Sequence, residues 1–143
     1  YSHQQEALVA VYSMTATRVE IAGTNFSDHG VSADLSIDVN TLETSNFASA
    51  GWTEMIAGMK SATVNLTFND DFAASNVDAT IWSNLGASVA VKLRPVNTTT
   101  TATNPEFQFT ALVTQHRFGG AVGALAQKAI SWPVTGAITR ATS

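Results

Sequence analysis

The stretch Val31-Ser-Ala-Asp-Leu-Ser-Ile-Asp-Val-Asn40 alternates apolar and polar residues without a break. Successive side chains of a strand point to opposite faces, so this period of two constrains the chain more than any other feature. Val31, Ala33, Leu35, Ile37 and Val39 share one face, while Ser32, Asp34, Ser36, Asp38 and Asn40 share the other. The expected arrangement is a strand with its apolar face on a core and its polar face in water.

The same rhythm returns in Ala62–Phe68, through Ala62, Val64, Leu66 and Phe68, and in Ser88–Arg94, where Pro95 ends it. Phe107–Val113 repeats it, and shorter candidates are Leu8–Met14, Arg18–Ile21, Ile130–Trp132 and Ala137–Thr139. Roughly eight strands at this spacing predict an all-β sandwich or barrel-like fold. One or two short helices are expected beside it. Ser49–Gly58 carries Trp52, Met55 and Ile56 at i, i+3 and i+4, which reads as a helix stopped near Gly58. Asn76–Leu85 carries Val77, Ile81 and Leu85 at helical spacing, with Ser75 or Asn76 as N-cap and Gly86 as the stop. Ala121–Gln127, after the Gly119-Gly120 loop, is a candidate for one helical turn. The Thr-rich stretch from Asn97 to Pro105 reads as a hairpin tip or as a segment that orders against a neighbouring copy. Residues 1–143 are expected to form one domain, since neither an internal repeat nor a long linker divides them.

Composition narrows the function. Hydrophobic residues make up 45% of the chain, enough for a core. No stretch approaches about 18 consecutive apolar residues, so no membrane-spanning helix is expected, and the first residues do not look like a signal peptide. There is no cysteine, which removes disulfides and thiolate chemistry. Only 13% of residues are charged and the net charge is −4, with the seven basic residues scattered rather than clustered. Tight nucleic-acid binding needs a basic stripe that is missing here. Polar faces made of Thr, Ser and Asn suit a surface that meets other protein.

Candidate chemistry is sparse. His3, His29 and His116 each stand alone, with no metal-ligand spacing. Asp70-Asp71 with Asp78 is the densest acidic group. It offers oxygens to a hard cation but lacks a calcium-loop spacing, so a solvated turn is the simpler reading. Asp34 and Asp38 lie about 13 Å apart along a strand, wide for a carboxylate acid–base pair. No nucleophile elbow or dinucleotide fingerprint occurs. No catalytic residue, metal or cofactor is expected, and the chain does not read as an enzyme. Trp52, Trp82 and Trp132 are read first as core anchors and second as interface residues.

The order of these features resembles the major tail protein, or tail tube protein, of long-tailed siphophages. The likeness runs over residues 8–142: the segment Thr41–Glu54, then Ile56-Ala-Gly-Met-Lys60 opening the Ala62–Phe68 strand, the Asp70-Asp-Phe72 turn, the Val77–Leu85 helix, the Val89–Pro95 strand, and the closing part from Gly120 through Ser131-Trp-Pro-Val134 to Thr142. The resemblance implies a β-sandwich subunit that forms rings, usually hexameric, stacked into a hollow tube that conducts DNA. It implies a place in the virion after assembly in the host cytoplasm. Its implied partners are further copies of the chain, tail terminator, baseplate and length-determining proteins, with DNA in transit and no membrane. Asp34, Asp38, Asn65 and Asn69 are then candidates for the lumen lining, with Lys92 and Arg94 adding positive charge if their face also turns inward. Thr41, Glu43, Phe47 and Trp52 are candidates for contact between rings, with the Trp52–Gly58 helix facing outward. Other readings are a tail terminator or head-tail joining ring, and a secreted β-sandwich module that binds carbohydrate or protein.

Overall fold

The structure, a computed structural model, describes residues 15–143. The elements run β1 (Arg18–Ile21), β2 (Thr24–Asn25), β3 (Gly30–Glu43), a 3-10 turn (Phe47–Ser49), β4 (Met55–Asn69), α1 (Val77–Ser83), β5 (Ser88–Arg94), β6 (Glu106–Leu112) and β7 (Gln127–Ala141). The expected Leu8–Met14 strand and His3 lie outside the described residues.

All the strands pair antiparallel in the order β2-β1-β5-β6-β7-β4-β3. The all-β expectation holds, with α1 as the single α-helix of the described residues. β7 joins the two halves. Its first part, Gln127–Pro133, pairs with β4, and its second, from Val134, pairs with β6. Pro133 stands at the change of partner, where its missing N–H costs least. A bulge follows opposite Gln108–Thr110, at Gly136 with φ +83°, and lets the strand bend from one half into the other. The expected strands Ile130–Trp132 and Ala137–Thr139 are therefore two parts of one.

The core lies between the halves. Val64, Leu66 and Phe68 of β4, Val89, Val91 and Leu93 of β5, Phe109 and Ala111 of β6, and Ile130 and Trp132 of β7 are buried in it with Val19, Ile21 and Phe26. α1 adds Val77 and Ile81. Asn76 caps it as expected, its side chain accepting from the Val77 N–H, and Gly86 follows the helix at φ +87°. Between Ile21 and Thr24, Ala22 and Gly23 both adopt positive φ, the backbone of a two-residue hairpin turn.

The β5–β6 connection is a hairpin tip, and it is built rather than loose. Asn104, 4% exposed, accepts from the Val96 N–H and donates to the carbonyls of Val96 and Thr99 and to the Thr98 hydroxyl. Asn104→Ala strands these groups and is expected to cost about 1–3 kcal/mol, measured as a fall in the urea midpoint at unchanged m-value.

Three expectations are corrected. Ser49–Gly58 is not a helix: a 3-10 turn ends at Ser49, and Met55–Gly58 opens β4. The i, i+3, i+4 spacing arose from Trp52 in the connection and from Met55 and Ile56 on opposite faces of β4. The helical turn in Ala121–Gln127 is also absent, since 122–124 form only a turn and bend and β7 starts at Gln127. Finally, Trp132 is buried, but Trp52 is 79% and Trp82 64% exposed, so two of the three tryptophans are surface residues.

Candidate assembly surface

The β3–β4 hairpin is longer than the body that supports it. Among the described residues β7 covers β4 only from Thr63 to Asn69, so Met55–Ala62 pairs there with β3 alone. The apolar face of β3 starts as expected, with Ala33 and Leu35 packed on the core. Beyond them Ile37 and Val39 are nearly half exposed, as is Val31 at the other end, because the ribbon outruns the core. Leu42 pairs with Ile56 near the tip, and Met55 and Met59 follow, all at least half exposed. Alternation puts Leu42 opposite in phase to Val39, so the ribbon bears apolar side chains on both faces.

The ribbon is shaped by a bulge between the Val39–Lys60 and Thr41–Ala57 pairs. Gly58 lies within it, where a Cβ would come 3.1 Å from the Asn40 carbonyl oxygen. The glycine expected as a helix stop instead sits in a bulge where a larger residue would push the Asn40 carbonyl aside. At the tip Asn46 and Ser49 form a reciprocal capping box around the 3-10 turn, and Ser45 bonds the Glu54 backbone. Thr41 and Glu43 end β3, Phe47 starts the turn and Trp52 follows it; all four are exposed.

Between the core and the bulge, the face opposite Leu35, Ile37 and Val39 is polar. Register pairs Asp34 with Asn65, Ser36 with Thr63 and Asp38 with Ser61, and carries the row to Ser131 of β7 beside Asn65. The Asn65 amide donates to Asp34 at 3.4 Å. Asn69 stands apart, at the end of β4, accepting from the Gln127 amide. Lys92 and Arg94 belong to the other half of the fold and are neutralised there: Lys92 lies 3.7 Å from Glu20, and Arg94 pairs with Glu106. Burial alone would raise the Glu106 pKa, but hydrogen bonds from Arg94 and Gln108 outweigh it and hold the group below its ordinary value.

The acidic group Asp70-Asp71-Asp78 is not a free solvated turn, because its carboxylates are engaged by the chain's own basic side chains. The Lys128 side chain is fully buried, with Nζ 3.2 Å from both Asp70 and Asp78, and it donates to the Arg117 carbonyl. His116 Nε2 bonds Asp78 at 2.9 Å. His29 lies between Asp28 at 2.8 Å and Asp71 at 2.9 Å. No group of three or more His, Asp or Glu residues poised for a metal occurs among the described residues. The acids are held by the chain's own cations, which tie the β4–α1 connection to β7 and to the segment before β3. Lys128 was missed because the basic residues read as scattered surface charge. The available signal was its phase, since it alternates inward with Ile130 and Trp132.

The hydrogen bond to Asp28, and after it that to Asp71, raise the pKa of His29 above 6.5. The backbone N–H of Ala73, then His29, lower that of Asp71. A raised imidazole pKa stabilises the fold fully below the unfolded value, and that contribution is lost as pH rises through the folded value. The expected result is a melting temperature that falls as pH rises above the ordinary imidazole range of about 6.5. In His29→Gln this dependence should flatten; an unchanged profile would assign it to other groups.

No protein-family model matches the chain, and no curated protein matches it. Solved structures do match, and the likeness is to chains of gene transfer agent particles. The chain is similar to a chain in the virion of a native gene transfer agent particle, with TM-score 0.69 and 12% identity over 92% of this chain and 100% of that one. It is also similar to a chain in the tail of an empty gene transfer agent particle refined with C6 symmetry, with TM-score 0.64 and 16% identity over 80% of this chain and 83% of that one. At these identities the likeness is one of fold.

Proposed function

We propose that this chain is a structural subunit that closes into rings, hexameric as in the C6 tail whose fold it shares, and stacks into a hollow tail tube for DNA. The observation that carries the reading is the unsupported half of the β3–β4 hairpin. A lone two-stranded ribbon is marginal in water, and this one exposes Ile37, Val39, Leu42, Met55, Ile56 and Met59. Among the described residues the outer edges of β3 and of Met55–Ala62 have no strand partner, and such edges invite pairing with other strands. Association with further copies supplies both the missing strands and the missing apolar cover, and ring closure limits the pairing.

On this reading the row Asp34, Ser36 and Asp38 with Asn65 lines the lumen, and Asn69 lies toward one rim. Carboxylates repel phosphate, and short hydroxyl and amide side chains give a passing duplex no cationic site. Residues 1–143 act as one domain, in the virion, with a terminator, a baseplate and a length-determining protein as the tube's other contacts. Assembly takes place in the host cytoplasm. Catalysis has no part in it.

Sedimentation of the purified chain tests ring formation: species at six times the 15.0 kDa chain mass and larger stacks are expected, and a monomer at every concentration would contradict it. A terminator or joining protein would stop at the ring. The lumen assignment has its own expected outcome. Tubes of Asp34→Lys/Asp38→Lys should retain DNA at low salt and release it as salt rises, while wild-type tubes retain none. Equal retention by both would place the lining elsewhere.

A further inference from the structure

The end of the molecule opposite the hairpin tip carries a second exposed apolar surface. Phe72, after β4, packs edge-on against Phe118, with ring centroids 5.8 Å apart, yet the two are 54% and 79% exposed. Val122 and Leu125 of the segment joining β6 to β7 are 107% and 68% exposed. This segment lies beside the start of β3 and the end of β4: the Asp70 N–H bonds the Ala126 carbonyl, and the Asn69 N–H bonds the His29 carbonyl. It is fastened from below by the bond from Lys128 to the Arg117 carbonyl and by the contact of His116 with Asp78. The 14 residues of β3 separate this patch from the tip by about 45 Å at strand rise. The two surfaces cannot meet within one chain.

Their charges are opposite. Residues 41–56 at the tip include Glu43 and Glu54 and no basic residue. Residues 114–126 include His116 and Arg117 and no acid, and the two acids that precede Phe72 are already engaged, Asp70 by Lys128 and Asp71 by His29. His116 is engaged with Asp78, whereas the Arg117 guanidinium makes no ion pair among the described residues. Tip against tip would oppose carboxylates, and patch against patch would oppose guanidiniums. Tip against patch joins apolar to apolar and acid to base.

We propose that the patch of Phe72, Phe118, Val122 and Leu125 with Arg117 receives the Phe47–Trp52 hairpin tip of a second copy of this chain, as the contact along the tube axis. Such a contact is heterologous, and repeated translation along one direction makes it open-ended, which is what elongation requires. The proposal rests on the tube reading and adds the receiving surface to it.

Charge reversal tests it by electron microscopy and sedimentation. Arg117→Glu and, separately, Glu43→Arg/Glu54→Arg should each raise the concentration needed for elongation at least about tenfold, with rings persisting. The three substitutions together should restore elongation. Because the chain has no cysteine, Phe47→Cys/Val122→Cys gives a second readout: mild oxidation of tubes should produce a covalent ladder of chains, and neither single variant should. Tubes that elongate normally in both reversed variants and yield no ladder would overturn this contact and leave the tube reading standing. Absence of any assembly by the wild-type chain would overturn both.

Discussion

Lys128→Ala is expected to destabilise the fold by about 3–5 kcal/mol, the largest effect of any single substitution considered. The lysine side chain is 0% and that of Asp70 1% exposed, so removing the ammonium leaves a carboxylate in the interior without its counter-ion. Stabilities of single domains are typically about 5–15 kcal/mol, and a loss of this size is a large part of the total. Lys128→Met should cost nearly as much, because the stranded Asp70 charge dominates over lost volume. Lys128→Met/Asp70→Asn should recover more than half of the loss. Urea midpoints compared at constant m-value check all three; a Met variant as stable as wild type would mean that Asp70 finds water. The cluster also sets acid sensitivity. Partial burial of Asp78 would raise its pKa, but the hydrogen bonds from His116 and Lys128 outweigh it and lower the group below its ordinary value. Its contribution is therefore present above the ordinary carboxylate pKa and is lost as pH falls through the depressed one.

The second large effect falls on assembly and leaves the monomer intact. Leu42 and Ile56 face each other across the ribbon, 50% and 55% exposed, with no core residue depending on them. Leu42→Asp/Ile56→Asp should change monomer stability by no more than about 0.5–1 kcal/mol. The same pair of charges should abolish ring and tube formation, since an unpaired carboxylate buried in an interface costs several kcal/mol for each. A monodisperse 15.0 kDa species with wild-type melting behaviour is the expected outcome. Assembly at wild-type concentration would mean that this end of the hairpin stays in solvent.

Much of the body of the fold was legible in the sequence because period-two patterning and burial coincide there. Ser88–Arg94 is β5 at the expected bounds, and Ala62–Phe68 lies inside β4 with Val64, Leu66 and Phe68 buried. The Asn76 cap and the Val77–Ile81 spacing identified α1 for the same reason, since its local signals agree with its packing. Legibility ends where the chain is shaped by something other than its own core. Ile37 and Val39 keep the phase of a buried face on a ribbon that has no core beneath it, and alternation carries no information about how far the core extends. Trp52, Met55 and Ile56 fit a helical template because an exposed tryptophan in the connection precedes two apolar residues on opposite faces of β4, a pattern that one chain considered alone gives no reason to expect. Asp34 and Asp38 were readable as one outward face, and pairing added what single-strand periodicity lacks: Asn65 and Ser61 opposite them. The Lys128 cluster joins residues 70, 78, 116 and 128 through tertiary packing, which local spacing does not reveal.

The central claim is that the exposed ribbon exists to be covered by other copies of the chain. Electron microscopy of the purified wild-type protein at high concentration tests it most directly. The predicted result is rings and hollow tubes of uniform diameter, with the β3–β4 ribbons paired between neighbouring subunits. Particles whose ribbons stand free, or a field of single 15.0 kDa monomers at every concentration, would contradict it.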